Sequence, residues 1–186
     1  MRNDILPRPE HTALLVIDVQ ERLLPAMQEE RRDGFLKAIV TLCECAREFE
    51  IPTTFTEQYP KGLGATVAPL HGYHSATNTF EKLEFSPVRN LDFRERVLSK
   101  MPQDIVLAGM ETHICVLQTA TDLIKHGYRV FVPQDAVISR VAANWRNGLE
   151  LMKELGASII NVETFLFERL GVAGTDQFRR LSRLIR

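Results

Sequence analysis

The sequence predicts an α/β protein, a doubly wound three-layer fold in which helices cover both faces of a parallel sheet. Apolar runs rich in β-branched residues alternate with segments that repeat apolar residues at helical spacing, a pattern typical of parallel sheets. The 186 residues are 45% hydrophobic and 25% charged, as expected for one domain spanning residues 1–186. We expect a six-stranded sheet with the strand order 3-2-1-4-5-6.

The six predicted strands differ in how clearly the sequence marks them. The first, at residues 11–19, is a nearly continuous apolar run, as expected for a strand buried on both faces. The third, at residues 79–86, is shorter and more mixed in composition. The remaining strands are expected at residues 51–55, 104–108, 128–132 and 158–162.

Helices are predicted where apolar residues recur every three or four positions between the strands. Gly127 and Gly156 mark the ends of two of them, because glycine commonly follows the last helical residue. The predicted helices span residues 35–49, 90–98, 112–126, 141–155, 164–170 and 175–185. The loop at residues 57–78 is rich in Gly and Pro, and its length is typical of a binding or lid segment.

The sequence GMETHIC, residues 109–115, places a cysteine where a predicted strand changes into a predicted helix. Thr112 is a suitable N-cap residue, and Cys115 follows three positions later, near the positive end of the helix dipole. A thiolate is stabilised there, so we expect Cys115 to have a lowered pKa and to act as a nucleophile. Packing is the alternative role, since cysteine is also a common small core residue.

Two charged residues are expected to meet Cys115 at the carboxyl edge of the sheet. Asp18 lies near the end of the first predicted strand, and Lys82 lies in the third. Active sites of open α/β sheets form outside the carboxyl ends of the strands, where the strand order reverses. A nucleophile, a base and a cation that converge there indicate a catalytic site. Taken singly, Asp18 could cap the following loop and Lys82 could be solvated.

Four separated segments together resemble the isochorismatase-like cysteine hydrolase family. They are LLVIDVQ at residues 14–20, EKLEFS at 81–86, GMETHICV at 109–116 and DAVISR at 135–140. The similarity spans about residues 11–165. TEQYPKGLG, at residues 56–64, is most similar to the isochorismatase-domain-containing branch of the family.

The resemblance implies a catalytic triad of Asp18, Lys82 and Cys115. Asp18 would accept the thiol proton and return it to the leaving group, while Lys82 would hold the carboxylate and the sulfur in their charged forms. The resemblance also implies a cis peptide bond between Met110 and Glu111, with the amides of Glu111 and Cys115 forming an oxyanion hole. The expected reaction is hydrolysis of a small amide, imide or related C–N bond through a thioester.

Two other functions stay open. The fold could serve as a non-catalytic binding or scaffolding module, in which case the Cys115 thiol has ordinary reactivity. The protein could instead hydrolyse an ether, as isochorismatases do, and that activity would survive the loss of Cys115. The family pattern of the ether-hydrolysing enzymes lacks the nucleophilic cysteine, so Cys115 favours acyl transfer.

Five residues adjacent to these motifs are expected to line the substrate pocket. They are Gln20, Glu57, Tyr59, Phe85 and His113. The position of Glu111 within the cysteine motif makes it a further pocket candidate.

No metal and no cofactor are predicted. Nicotinamidases of the same superfamily carry an Asp-x-His motif after the second strand, where this chain has Glu57, Gln58 and Tyr59. His71 and His74 follow in the same loop, but a metal site needs three or four convergent ligands. GLG at residues 62–64 does not lie between a strand and a helix as a nucleotide-binding loop does.

Composition and charge exclude several classes of partner. The net charge of −1 and the pI of about 6.5 give no electrostatic reason to expect nucleic acid. No apolar run approaches the roughly 18 residues of a membrane helix, and the N-terminus lacks a hydrophobic signal core.

Three cysteines suggest no disulfide framework, so Cys43 and Cys45 are expected to pack in the core. We expect a cytoplasmic protein that acts on a small molecule and, as the resemblance implies, forms a homo-oligomer.

Overall fold

The computed structural model describes residues 5–185, and its centre is a single parallel sheet. The strands are β1 (Thr12–Ile17), β2 (Thr53–Gln58), β3 (Thr79–Lys82), β4 (Asp104–Met110), β5 (Arg129–Pro133), β6 (Val137–Ile138) and β7 (Ser158–Ile160). Their order across the sheet is β3-β2-β1-β4-β5-β7, and β6 pairs with the end of β4. The predicted order is therefore confirmed, with the sixth predicted strand appearing as β7.

Helices follow most of the strands. They are α1 (Glu29–Glu48), α2 (Pro60–Leu63), α3 (Leu91–Arg96), α4 (Leu117–Lys125), α5 (Ala142–Glu154), α6 (Val162–Leu170) and α7 (Asp176–Leu181). A π-helical turn, Thr112–Val116, leads directly into α4. Short 3-10 turns occupy Pro9–His11, Leu24–Ala26, Ala68–Leu70, Pro87–Arg89, Leu98–Lys100, Gln134–Ala136 and Ser182–Ile185. Among the described residues, no helix has the length and apolar character needed to cross a membrane.

The side chains on the two faces of β1 belong to two separate hydrophobic clusters. Leu14 and Val16 pack with residues of α1 and α6 on one face of the sheet. Ala13, Leu15 and Ile17 pack with residues of α3, α4 and α5 on the other face. All six residues of β1 are buried, which explains the continuous apolar run, because side chains alternate between the faces of a strand. The predicted three-layer fold is confirmed.

The cysteines of α1 have the packing role that the sequence predicted. Cys43 and Cys45 are buried in the cluster between α1 and the sheet. Burial raises the pKa of each thiol to about 12, so both are neutral at physiological pH.

Several element bounds differ from the prediction for local reasons. The first turn of α1 begins at Glu29, six residues before the predicted start, because its exposed polar residues carry no apolar repeat. The third strand ends at Lys82 rather than 86, since a turn at Pro87 follows. The C-terminal helix predicted at 175–185 ends at Leu181 and continues as a 3-10 turn. The two-residue β6 is too short to produce a periodic pattern.

Gly109 allows β4 to lie against β1 at the carboxyl edge of the sheet. Its φ of 119° is in the region that favours glycine, and a Cβ added there would lie 2.0 Å from the carbonyl oxygen of Ile17. The two residues are partners in the β1–β4 register. This contact brings the residues that follow β1 and β4 to the same place.

Candidate active site

Asp18 and Lys82 form a buried ion pair at the carboxyl edge of the sheet. The Nζ of Lys82 lies 2.7 Å from Oδ2 of Asp18, and neither side chain is exposed. The hydroxyl of Thr56 donates a hydrogen bond of 2.6 Å to Oδ1 of Asp18. Burial raises the pKa of Asp18, while the charge of Lys82 and the bonds from Lys82 and Thr56 oppose that rise. A carboxylate with a raised pKa is a stronger base than an ordinary aspartate.

Local backbone geometry places these two side chains. Asp18 follows β1 directly, and its φ of 52° turns the chain at the end of the strand. Lys82 is the last residue of β3 and is paired in register with Gln58 at the end of β2. Because β1, β2 and β3 are parallel neighbours, their carboxyl ends meet at one edge, as the sequence predicted.

Gln58 is a second partner of Lys82, and sequence reasoning did not assign it a role. Its Oε1 accepts a hydrogen bond of 2.7 Å from Nζ of Lys82, and its Nε2 donates one of 2.7 Å to the carbonyl oxygen of Leu83. Thr56 and Gln58 are two positions apart in β2 and therefore share one face of the strand. That spacing places both residues on the same face of β2, but only the register of β2 with β3 connects Gln58 with Lys82.

Cys115 lies beside the Asp18–Lys82 pair, in the turn that follows β4. The thiol and the carboxylate of Asp18 influence each other's pKa, and the backbone of Glu111 lowers the pKa of the thiol. The residue is 7% exposed. Burial and, after it, the charge of Asp18 raise the pKa of Cys115 to about 12, against the lowering effect of Lys82. The predicted lowering is therefore wrong, because burial outweighs the position at the start of a helix.

The turn that carries Cys115 begins differently from the prediction. Glu111 precedes the π-helical turn, and its side chain makes no capping hydrogen bond to the part of the chain that the structure describes. Thr112 is fully buried, and its hydroxyl has no hydrogen-bond partner within residues 5–185, so its predicted N-cap role is wrong. The backbone N–H groups of Ile114 and Val116 instead donate to the carbonyl oxygen of Glu111 at 3.1 and 3.2 Å. The peptide bond between Met110 and Glu111 is cis.

Glu111 also connects the cysteine turn to the DAVISR segment. Its Oε1 lies 3.0 Å from Nε of Arg140, and its Oε2 accepts a hydrogen bond of 3.1 Å from the backbone N–H of Arg140. Asp135, at the start of the same segment, accepts hydrogen bonds from the backbone N–H of Val162. This segment therefore fixes the position of Glu111 from the side opposite β3.

Two of the predicted pocket residues bind the loop after β2. The Nε2 of Gln20 donates to the carbonyl oxygens of Gln58 and Gly64 at 3.1 and 2.7 Å, and its Oε1 accepts from the backbone N–H of Gln58 at 2.8 Å. Oε1 of Glu57 accepts 2.7 Å bonds from both the backbone and the hydroxyl of Thr66. Both side chains are buried, and these contacts hold the loop against the sheet.

The other predicted pocket residues lie on two sides of the site. Tyr59 and Lys82 are among the residues that line a cleft of about 420 Å³. Phe85 is half-exposed beyond the end of β3. His113 lies on the opposite side, with Nδ1 3.0 Å from the hydroxyl of Ser139 and Nε2 3.3 Å from the amide nitrogen of Asn144. Of the five residues, Tyr59 is the one that lines this cleft within residues 5–185.

The histidines of the long loop contact each other and the backbone. The rings of His71 and His74 have centroids 5.4 Å apart, and Nε2 of His71 lies 3.0 Å from the carbonyl oxygen of Thr66. Within residues 5–185, no three His, Cys, Asp or Glu side chains are grouped so that they could hold a metal ion.

Comparisons with known proteins agree with the geometry. Residues 12–164 match the family model of the Isochorismatase domain. The secreted isochorismatase effector Isc1 of Phytophthora sojae is 33% identical, over 96% of this chain and 86% of that protein. The structure of the MAR1 ribonuclease of Caenorhabditis elegans is 34% identical with a TM-score of 0.85, covering 97% of this chain and 92% of that one. The Escherichia coli YcaC gene product, described as an octameric hydrolase of unknown specificity, has the same fold, with a TM-score of 0.91 at 21% identity over 99% and 92% of the two chains.

Proposed function

The chain belongs to the isochorismatase family, and from this premise we propose that it hydrolyses a small-molecule amide, imide or related C–N bond with Cys115 as nucleophile. The observation that carries this proposal is the buried ion pair of Asp18 and Lys82, whose two charges act in opposite directions on the pKa of the Cys115 thiol. A nucleophile in contact with a base, which is itself oriented by a third group, is the arrangement of covalent catalysis.

In the proposed first half-reaction, Asp18 is the general base. The thiol of Cys115 is neutral at rest because burial raises its pKa to about 12, so it needs a base within hydrogen-bonding reach. As Sγ attacks the carbonyl carbon, its proton passes to Asp18 and the new S–C bond forms. The C–N bond then breaks, and the departing nitrogen takes the proton from Asp18. A thioester remains on Cys115.

In the second half-reaction, water hydrolyses the thioester. Asp18 accepts a proton from the attacking water, the S–C bond breaks, and that proton returns to the sulfur, so the resting thiol is restored. Throughout, Lys82 keeps its charge and stabilises the negative charge that develops near the sulfur. We assign the oxyanion hole to the backbone N–H groups of Glu111 and Cys115, which lie at the start of and within the turn after β4 that carries the nucleophile.

A screen of small amides and imides tests the proposal. Ammonia or amine release is measured for the wild-type protein and for Cys115→Ala, and mass spectrometry detects an acyl adduct on Cys115. The expected result is turnover that requires Cys115 and a trapped adduct on that residue. A folded Cys115→Ala variant that retains turnover would overturn the nucleophile and support ether-type hydrolysis. A Cys115 thiol that forms no adduct in the whole screen would favour a binding module.

Cleavage of RNA is a second candidate function. The similarity to a Caenorhabditis elegans structure that is described as a ribonuclease favours it, whereas the net charge of −1 gives no electrostatic support. Incubation of the wild-type protein and Cys115→Ala with a labelled single-stranded RNA separates the two candidates. Cleavage that persists in Cys115→Ala would show that RNA hydrolysis does not use the proposed nucleophile.

We further propose that the protein is a homo-oligomer, because a protein of the same fold, YcaC, is described as octameric. Light scattering coupled to size-exclusion chromatography measures the mass directly, and a monomer at micromolar concentration would overturn this proposal. The cytoplasmic location stays a prediction, and the relative from Phytophthora sojae is described as secreted.

A further inference from the structure

We propose that Gln58 is a positioning residue of this site, which acts through Lys82 by fixing where the ammonium group lies relative to Asp18 and Cys115. The inference rests on the proposed function, since the position of Lys82 matters for catalysis only if Cys115 is the nucleophile. It concerns a residue that touches none of the reacting atoms in the proposed mechanism.

The side-chain amide of Gln58 has one orientation that satisfies both its ends. Its Oε1 accepts from Nζ of Lys82 and its Nε2 donates to the carbonyl oxygen of Leu83, both at 2.7 Å. Rotating the amide by 180° would direct an N–H at an ammonium and a carbonyl oxygen at another carbonyl oxygen. Both hydrogen bonds would be lost. The acceptor for Lys82 is therefore fixed in direction as well as in distance.

The backbone of Gln58 is held as firmly as its side chain. Gln20 accepts from the backbone N–H of Gln58 at 2.8 Å and donates to its carbonyl oxygen at 3.1 Å. Gln58 and Lys82 are also partners in the register of β2 and β3. Because the strand, Gln20 and Leu83 all restrain it, Gln58 is a rigid support on which the flexible lysine side chain is immobilised.

The arrangement leaves Lys82 with two strong acceptors and one further N–H. The ammonium donates to Oδ2 of Asp18 and to Oε1 of Gln58 at 2.7 Å each. An ammonium has three N–H groups, so the third remains for charge that develops near the sulfur of Cys115. A neutral acceptor suits this purpose, since a carboxylate in place of Gln58 would draw Lys82 away from Asp18 and add negative charge near the sulfur.

The effect of Gln58 can be measured on the thiol itself. Lys82 lowers the pKa of Cys115, although burial and Asp18 together outweigh it. If Gln58 holds Lys82 in place, its loss weakens that lowering effect and moves the titration of Cys115 to higher pH. A residue that merely supports the fold would leave the titration unchanged.

The experiment compares Gln58→Met and Gln58→Glu with the wild-type protein. The rate of Cys115 alkylation by iodoacetamide is measured from neutral to strongly alkaline pH by peptide mass spectrometry, with circular dichroism as the test of folding. Gln103→Met is the matched control, because the Gln103 amide also donates to a backbone carbonyl, that of Gly127, at the other end of the sheet. We expect slower alkylation and a midpoint at higher pH in both Gln58 variants and an unchanged profile in the control.

A double-mutant cycle tests whether Gln58 acts through Lys82. In a Lys82→Met background, Gln58→Met should produce no further shift of the alkylation midpoint, because the group that it positions is absent. On a substrate found in the screen, Gln58→Met should lower kcat/KM by about 10- to 100-fold, as expected for a lost hydrogen bond to a charged group.

Two results would overturn the inference. One is a folded Gln58→Met protein with the wild-type alkylation profile, and the other is an equal shift of the midpoint with and without Lys82. If Gln58→Met does not fold, Gln58→Leu, which also lacks the acceptor for Lys82 and adds no charge, decides by the same criterion. Absence of amide turnover together with the expected alkylation shifts would reject the proposed reaction and retain the positioning role, so the two failures are distinguishable.

Discussion

The Nζ of Lys82 and Oδ2 of Asp18 are 2.7 Å apart, and solvent reaches neither side chain. Each charge is therefore compensated almost entirely by the other and by the hydrogen bonds of Thr56 and Gln58. Removing one member of such a pair leaves a buried charge without its counter-ion. This lowers the free energy of unfolding more than removing an exposed charge does.

Lys82→Ala is expected to lower the free energy of unfolding by about 3–5 kcal/mol, the range measured when one partner of a buried ion pair is removed. Urea denaturation of the variant and the wild-type protein measures this difference. Lys153→Ala, which removes an exposed lysine from α5, is the control and should change the free energy by less than about 0.5 kcal/mol. Equal stabilities of Lys82→Ala and the wild type would contradict the buried pair.

Asp18→Asn and Cys115→Ala should each abolish turnover while the protein stays folded. Residues that act as one catalytic unit have strongly non-additive effects, so the double mutant should be scarcely less active than Cys115→Ala alone. Steady-state turnover on the substrate from the screen measures this, with circular dichroism to confirm folding. Near-normal turnover in a folded Asp18→Asn protein would remove Asp18 as the base.

Asp18→Asn should also make the thiol of Cys115 more acidic while it abolishes turnover. The charge of Asp18 raises the pKa of Cys115 and that of Lys82 lowers it, so replacing the carboxylate leaves Lys82 as the dominant neighbouring charge. The iodoacetamide profile of Cys115 should therefore move to lower pH. Cys43 and Cys45 are internal controls, because they are more deeply buried and should react more slowly. A shift of the Cys115 profile to higher pH would refute this account of the thiol.

Asp104 should contribute stability that is lost in acid. Burial alone would raise the pKa of Asp104, but hydrogen bonds from Arg129 and Arg8 hold it well below its usual range. The stabilisation is thus present above the unfolded pKa of about 3.9 and disappears as pH falls toward the folded pKa. Asp104→Asn should lower the free energy of unfolding by about 2–3 kcal/mol at neutral pH. The free energy of unfolding of the variant should also depend less on pH in the acid range. An unchanged pH dependence of unfolding between pH 5 and 2 would contradict this.

Gly109→Ala should be among the most destabilising single substitutions in the chain. The added Cβ would lie 2.0 Å from the carbonyl oxygen of Ile17, where neither strand can move without breaking the β1–β4 register. We expect the free energy of unfolding to fall by about 4 kcal/mol or more. Gly156→Ala is the matched control, since its φ is also positive but, among residues 5–185, no atom beyond its own chain neighbours lies within 4 Å of an added Cβ. The control should lose only about 1–2 kcal/mol, as measured by thermal and urea denaturation.

The sequence predicted those features of the fold that depend on local pattern. The apolar run of β1 indicated a strand buried on both faces, and the alternation of strands and helices predicted the parallel sheet, for which the usual order of a doubly wound fold was expected. The edge at which Asp18 and Lys82 meet followed from the rule that sites form at the carboxyl ends of parallel strands. The roles of the three triad residues came from the family resemblance.

Features that depend on tertiary contacts were missed or reversed. The direction of the Cys115 pKa shift depends on how much solvent the fold removes, and a local pattern around the cysteine carries no measure of that burial. Gln58 could not be connected with Lys82 before the register of β2 and β3 was known. The π-helical turn replaced the predicted N-cap because Thr112 is buried, which again is a tertiary property.

Lys82 and Cys115 are held by strands that differ in length and in the number of neighbouring strands: Lys82 ends β3, and Cys115 lies in the turn after β4. β4 has seven residues, all buried, and strands pair with it on both sides. β3 has four residues and, within residues 5–185, pairs with β2 alone. Short edge strands exchange their amide hydrogens through local openings that cost less than global unfolding. A local opening of β3 would move Lys82 away from Asp18 and leave Cys115 in place, so we expect activity to be lost at a lower temperature than the one at which the core unfolds.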